Sequence, residues 1–264
     1  PFTQLGERQL ATYDRDALKL INVLEGQVVR FPENQPLKYR LLTNLGRLGR
    51  RERKLELLTA LLGEKAVDPV FFSEMGELLT DDARQFEMAE YYLLKVVRLR
   101  PTEGRTHSSL GWCYWKQRRF KEAGECQRIA SCLSRSFEPY AMSYFETCLL
   151  LGEREEGLSY LRSRVKDVAI KQSGPWMTLV DGLERLGRDD QARKTMEEAL
   201  VALPEAGDLQ ISASRKFMGW GEIERAAELL EKARGSVDEI SWLSEAAVQA
   251  RFLGERRKAI RYRR

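Results

Sequence analysis

The side chains best suited to chemistry in this 264-residue sequence are four cysteines and a single histidine. Cys113, Cys126, Cys132 and Cys148 are separated by 13, 6 and 16 residues. Zinc sites normally use cysteines or histidines in closely spaced pairs, which these intervals do not provide. We therefore expect the cysteines to pack between helices as small apolar residues, with no metal bound.

His107 is the only side chain that could serve as a histidine base for a serine or cysteine nucleophile. It lies on an apolar stripe with Leu110, Gly111 and Tyr114, so we expect it to be packed in the interior. The sequence contains no glycine-rich phosphate loop, no H-E-x-x-H and no G-x-S-x-G. These observations predict a protein that is not an enzyme and that uses no cofactor.

The composition is that of a well-patterned folded chain, with 43% hydrophobic and 32% charged residues. The 44 basic and 40 acidic residues leave a net charge of +4, which does not require a nucleic-acid partner. No apolar run reaches the roughly 18 residues of a membrane span. Cysteines without a disulfide framework favour the cytoplasm, although a bacterial periplasm stays open.

A short glycine turn recurs along the chain at intervals of 33 to 35 residues, or three such intervals in one case. Its occurrences are Leu48-Gly49, Leu151-Gly152, Leu186-Gly187, Trp220-Gly221 and Leu253-Gly254. A period of this length indicates a solenoid of small structural repeats. Such proteins generally offer an extended binding surface in place of a closed catalytic pocket.

Each period reads as two helices joined by a turn. In the clearest example, the stripe from His107 to Tyr114 is followed by a second apolar pattern that includes Phe120 and Ala123. Gly111 and Ala123 are small, which allows the two helices to approach closely. The sequence therefore predicts an antiparallel helical hairpin.

This pattern resembles the tetratricopeptide repeat, which places large, small and proline residues at fixed positions. The residues that carry the resemblance best are Trp176, Leu179, Leu183, Ala192, Ala199 and Pro204, with Ala89 and Pro101 earlier in the chain. The resemblance implies an all-α, right-handed superhelical solenoid. The predicted units are a partial repeat at 1–34, repeats 35–69, 70–103, 104–137, 138–172, 173–206 and 207–239, and a truncated repeat at 240–264.

The incomplete terminal repeats predict that the chain is a piece of a longer protein, whose truncated ends could pair with a second copy. A helix is expected near residues 2–9 as the partner of the one through Ala17, Ile21 and Leu24. The basic residues Arg256, Arg257, Lys258, Arg261, Arg263 and Arg264 are expected to form a solvated helix face.

The resemblance also implies that the first helix of each hairpin lines a groove, and that a segment of a partner protein binds there. Transferring the register gives the candidate partner-binding residues Tyr39, Arg40, Arg105, Trp112, Trp115, Lys116, Met142, Met177, Ile211 and Arg215. The tryptophans and methionines would provide adaptable apolar anchors. Leu149 and Met218 are placed either in this groove or in the core. The Lys and Asn clamp of some family members is absent.

Two other functions stay open at this point. Helical hairpins of this length also build RNA-reading solenoids, and Arg40, Arg47, Arg105 and Arg215 motivate that alternative. Glu146, Asp181 and Glu245 lie on the same predicted face and oppose it. The stretches Asp16-Ala17-Leu18, Phe31-Pro32-Glu33-Asn34 and Leu45–Arg50 are similar to the first repeats of bacterial exopolysaccharide-export scaffolds, which implies a periplasmic docking role.

Overall fold

The structure is a computed structural model that describes Asp16 and residues 18–64, 67–167 and 172–262. Those residues form helices joined by short turns, and no strand occurs among them, so the predicted all-α class is confirmed. The helix expected near residues 2–9 lies outside the described residues, as do Ala17, Arg263 and Arg264.

The described helices pair into hairpins of consecutive helices, from α2–α3 through α14–α15, after a first helix α1 at residues 18–30. The others are α2 Gln35–Arg47, α3 Arg51–Leu62, α4 Pro69–Leu79, α5 Phe86–Leu99, α6 Gly104–Lys116, α7 Phe120–Leu133, α8 Glu138–Leu151, α9 Arg154–Lys166, α10 Ser173–Arg185, α11 Asp189–Ala202, α12 Gly207–Gly219, α13 Ile223–Ala233, α14 Glu239–Phe252 and α15 Arg256–Tyr262. The chain divides into two compact units, Pro1–Leu133 and Ser134–Arg264.

Within each unit, the first helix of one hairpin packs beside the first helix of the next. In the first unit α4 packs against α6, and in the second α10 packs against α8 and α12, which in turn packs against α14. These neighbours form a layer that we call the first-helix face of the unit. The stacked hairpins are the architecture that the repeat period predicts.

Local sequence signals explain where the first helices begin. Asn34 and Asp68 each precede a helix, and their side chains accept hydrogen bonds from the backbone N–H groups of Leu37 and Val70. Both helices have proline in the first turn, where its missing N–H is not needed. Later in the chain, Gln210 Nε2 donates to the Pro204 carbonyl at 2.6 Å and ties α12 to the preceding turn.

Small residues allow the helices of a hairpin to cross closely. Ala89, Ala123 and Ala192 are fully buried where the second helices meet the first. At Gly76, an added Cβ would come within 2.6 Å of Leu93, so a larger residue there would force the helices apart. The small residues that carry the repeat pattern therefore have a direct packing reason.

Helix α3, the second helix of the hairpin α2–α3, departs from this rule, since Lys54 stands where the repeat pattern expects a small residue. The structure accommodates it by extending the side chain towards α4, where Nζ lies 2.7 Å from Glu74 Oε2. The side chain passes Gly46 on this path, at a distance where an added Cβ would make an ordinary contact of 3.5 Å with the Lys54 ammonium. A buried ion pair thus replaces the usual close approach of two small residues.

The turns between the helices of a hairpin require a left-handed residue. Gly49, Gly152, Gly187, Gly221 and Gly254 all have positive φ values, between 64° and 84°. Arg118 lies one period before Gly152 and has the same conformation, with φ of 62°, although it is not a glycine. A residue with a Cβ is strained in this region, by about 1–2 kcal/mol.

We therefore expect Arg118→Gly to stabilise the protein. The relief of strain exceeds the extra backbone entropy of glycine in the unfolded chain, which leaves a gain of about 0.5–1 kcal/mol. Urea unfolding followed by circular dichroism measures this change. The control Arg128→Gly, in the middle of α7, should instead destabilise by about 1 kcal/mol. A lower unfolding midpoint for Arg118→Gly would contradict the strain argument.

Candidate partner-binding face

Two tryptophans on α6 stand out on the first-helix face of the first unit. Trp112 is 46% exposed and Trp115 is 36% exposed, while Leu110 and Tyr114 on the opposite side of the helix are buried. The two indole rings stack with their centroids 5.1 Å apart and their planes within 6°. The Lys116 ammonium lies 5.0 Å from the centre of the Trp112 ring. This arrangement is a rigid, exposed apolar surface with a cation at its edge.

A network of charged groups holds α6 against its neighbours. Arg105 Nη2 lies 3.2 Å from Glu77 Oε2 and 3.3 Å from Glu74 Oε1, and both carboxylates belong to α4. Arg105 Nη1 donates to the Tyr39 hydroxyl of α2 at 3.3 Å. Ser109, one turn after Arg105, donates to Glu77 at 2.6 Å. These contacts join α2, α4 and α6 on the same face as Trp112.

The network also changes the pKa of Arg105. Burial by itself would lower the pKa of the Arg105 guanidinium, but the Glu77 charge and the hydrogen bonds to Tyr39 and Glu77 raise that pKa overall. Its charge is matched by carboxylates, so Arg105 and Tyr39 brace the face on which the tryptophans lie.

Three other cations on the first helices of this unit have no such match. Arg40 and Arg47 of α2 and Lys116 of α6 are exposed, and none of them forms an ion pair with a residue that the structure describes. Among the candidates that the sequence suggests, Arg40 and Lys116 are thus available to a ligand, whereas Arg105 is already engaged.

The first-helix face of the second unit is more closed. Met142 and Met177 are half-buried and pack against the core of that unit, and Ile211 is half-buried as well. Met218, which the sequence left between groove and core, is 5% exposed and belongs to the core beside Phe217. The structure therefore decides between the two positions in favour of the core, because α12 turns the Met218 side chain towards the interior.

Ion pairs cover much of what remains on that face. Arg215 Nη2 lies 2.5 Å from Glu245 Oε2, and Arg185 Nη1 lies 2.7 Å from Glu146 Oε1. Lys216 pairs with both Asp181 and Glu184 of the preceding first helix. Each of these pairs joins neighbouring first helices. Arg215 therefore acts as a brace in the second unit, as Arg105 does in the first.

The residues considered for catalysis lie in packed surroundings. His107 is buried, and its Nε2 lies 2.8 Å from the Pro101 carbonyl oxygen. Cys113, Cys126 and Cys148 are buried, and burial raises the pKa of the Cys126 thiol to about 12. The described part of the chain contains no group of three or more histidine, cysteine or acidic side chains arranged to hold a metal ion.

None of the helices among the described residues is both long enough and apolar enough to span a bilayer.

The charged network was not anticipated from sequence, although one signal pointed to it. Lys54 interrupts the small-residue pattern on α3, and Glu74 occupies a buried position on α4. Two opposite charges at positions that are normally apolar indicate a pair. The contact of this pair with Arg105 depends on how three hairpins pack together, and residue spacing in the sequence does not predict that packing.

No protein-family model matches this sequence, and no curated protein matches it. Solved structures do resemble the chain. MamA from residue 41 to its end, from Desulfovibrio magneticus RS-1, aligns with a TM-score of 0.50 and 15% identity over 62% of this chain and 92% of its own. A tetratricopeptide repeat protein from Parabacteroides merdae ATCC 43184 aligns with a TM-score of 0.50 and 15% identity over 90% of this chain and 93% of its own. At this identity the likeness shows the fold.

Proposed function

We propose that this chain, which has the tetratricopeptide-repeat fold, is a non-enzymatic scaffold that binds a segment of a partner protein on the first-helix face of its first unit. The stacked pair Trp112 and Trp115 is the anchor of the site. Protein interaction in general fits the fold and the repeat architecture. The position of the site is our inference from the exposed side chains.

The exposed tryptophan pair is the single observation that carries this proposal. Tryptophan is the residue most enriched among the energetic hot spots of protein interfaces, because it buries a large area and has few rotatable bonds. A pair of indoles left in solvent is costly to a protein that has no use for it, since each ring has a large apolar surface. The stacking fixes both rings before a partner arrives, which reduces the entropy lost on binding.

The surrounding residues give the pair its support. Arg105 and Tyr39 hold α2 and α6 in place across α4, and the Glu77 carboxylate receives both Arg105 and Ser109. A site built on braced helices keeps its geometry better than a loop site. Arg40 and Lys116 are proposed as polar contacts at the edge of the anchor.

The candidates in the second unit stay predictions. Met142, Met177 and Ile211 are half-buried, and Arg215 is engaged by Glu245. They are proposed as a separate and weaker contact surface of that unit. Self-association through the terminal repeats and a role in polysaccharide export also stay predictions.

Nucleic-acid binding is the less favoured alternative. Of the four arginines that motivated it, Arg105 and Arg215 are neutralised by carboxylates on adjacent helices. Phosphate binding relies on several cations that are free to replace condensed counterions. The pairing removes half of the cations on which that alternative depended.

The experiment that tests the proposal begins with a random dodecapeptide library displayed on phage and selected against the whole chain. The most enriched peptide is then added to protein labelled with fluorotryptophan, which gives one fluorine NMR signal for each of the five tryptophans. Trp112→Phe and Trp115→Phe assign two of the signals. The other three belong to Trp176, Trp220 and Trp242, all in the second unit.

The proposal predicts that the peptide shifts the signals of Trp112 and Trp115 and leaves the other three unchanged. Shifts confined to Trp176, Trp220 or Trp242 would place the binding surface elsewhere. Failure to enrich any peptide would count against peptide binding altogether.

A further inference from the structure

We infer that the partner segment is acidic, and that its carboxylates meet Arg47 and Lys116 while one of its apolar side chains lies on the tryptophan pair. This inference rests on the proposed function and adds the chemical class of the partner. It comes from the balance of paired and unpaired charges on the first-helix face of the first unit.

Every carboxylate on this face already has a cation beside it. Glu74 is paired with both Lys54 and Arg105, and Glu77 is paired with Arg105. Asp81, just beyond the end of α4, lies 3.8 Å from Arg51. The negative charges of the face are thus neutralised within the protein, and they leave no acidic site for a basic partner.

The cations are in excess. After these pairs are formed, Arg40, Arg47 and Lys116 stay exposed and form no ion pair with the residues that the structure describes. Arg47 lies in the last turn of α2 and Lys116 in the last turn of α6, beside the Trp112 ring. Unmatched charge of one sign around an apolar anchor selects a partner of the opposite sign.

The second unit has fewer unmatched cations on its first helices. Arg185, Arg215 and Lys216 each have a carboxylate within 2.7 Å. Arg251, in the last turn of α14, is exposed and forms no ion pair with the residues that the structure describes. The first unit therefore carries three unmatched first-helix cations against one in the second, and one of the three, Lys116, lies beside the Trp112 ring.

The same observations favour a peptide over a nucleic acid. The Trp112 and Trp115 rings cover one another, with planes only 6° apart, and the Lys116 ammonium lies over Trp112. Bases stack on open aromatic faces, and one face of each ring is taken up by the other ring. A continuous polyanion would also pass close to Glu77 and Asp81, whereas an acidic peptide can place its carboxylates at selected positions.

The test uses the selected dodecapeptide and a matched peptide in which every Asp and Glu is replaced by Asn and Gln. Binding of both to the whole chain is measured by fluorescence anisotropy at low and high salt. We expect the acidic peptide to bind roughly ten-fold more tightly than its neutral counterpart at low salt, and to lose most of that advantage as salt increases.

The double variant Arg47→Glu with Lys116→Glu should weaken the acidic peptide by roughly ten-fold or more and leave the neutral peptide nearly unchanged. The control, Arg98→Glu with Arg128→Glu, makes the same change of charge at exposed residues of the second helices α5 and α7. It should alter binding by less than about two-fold, since those residues lie outside the first-helix face and exposed charges are screened by salt. If the reversal impairs folding, Arg47→Gln with Lys116→Gln provides a milder version.

The outcomes separate this inference from the proposed function. Enriched peptides that are neutral or basic, yet shift the Trp112 and Trp115 signals, would overturn the acidic partner and leave the binding site standing. Peptides that leave both signals unchanged would overturn both. A third outcome is that the protein binds no peptide but binds oligodeoxythymidine tightly and in a salt-sensitive way. If Arg47→Glu with Lys116→Glu abolished that binding, the cations would be assigned to a polyanion instead.

Discussion

Truncation of Phe145 to alanine is expected to lower the free energy of unfolding by about 3–5 kcal/mol. The ring is fully buried at the centre of the second unit, where it packs among α8, α9 and α10. It fills the space that Gly157 and Gly182 leave, since a Cβ on those glycines would lie 3.0 Å and 3.5 Å from its atoms. Glycine on two sides leaves fewer side chains that could move in to fill the cavity.

The matched control is Val201→Ala on α11. Val201 is 80% exposed, so its truncation should change the unfolding free energy by less than about 0.5 kcal/mol. Urea denaturation followed by far-UV circular dichroism measures both variants. A Phe145→Ala midpoint equal to that of the control would mean that the packing between hairpins is not the source of stability.

The turns and core stripes of this fold were predictable from sequence because their determinants are local. A left-handed turn needs glycine, so Gly152, Gly187 and Gly221 mark the hairpins directly. Close helix crossings need small residues, which Ala123 and Ala192 supply. Arg118 shows the limit of this reasoning. The turn at Arg118 has the same left-handed backbone as the others but lacks the glycine, so in the sequence it was marked only by a break in the apolar pattern.

The candidate face was predictable only in part. The position of Trp112 outside the core stripe follows from helical periodicity, and the structure leaves that ring exposed. The engagement of Arg105 by Glu77 could not be read from spacing, because the partners lie 28 residues apart on different hairpins. Whether Met218 is buried was ambiguous for a related reason, because its burial depends on how far α12 is rotated about its own axis against its neighbours.

The sequence also could not predict which cations form ion pairs and which stay free. Arg47 and Arg105 look alike as exposed residues of first helices, and only the location of Glu77 distinguishes them. Side-chain pairing is a tertiary property that depends on rotamers as well as helix register. The acidic-partner inference therefore needed the structure, although the tryptophan anchor did not.

The second large effect is expected at the anchor itself. Trp112→Ala combined with Trp115→Ala should weaken binding of the selected dodecapeptide by at least about 100-fold, because two hot-spot rings are lost together. Neither ring belongs to the buried core cluster of the first unit, so the variant should keep its helical content, with a modest loss of stability from the contact of Trp115 with Phe120. Tyr91→Ala, an exposed aromatic on the second helix α5, is the matched control.

Peptide binding by the double variant is the sharpest test of the tryptophan anchor. The dissociation constant of the peptide should rise by about 100-fold or more for the double variant and by less than about two-fold for Tyr91→Ala, with both variants as helical as the wild-type protein. Unchanged peptide binding by a folded double variant would show that the rings are not the anchor. So would unfolding of that variant, since the rings would then be part of the core and the binding site would have been misplaced.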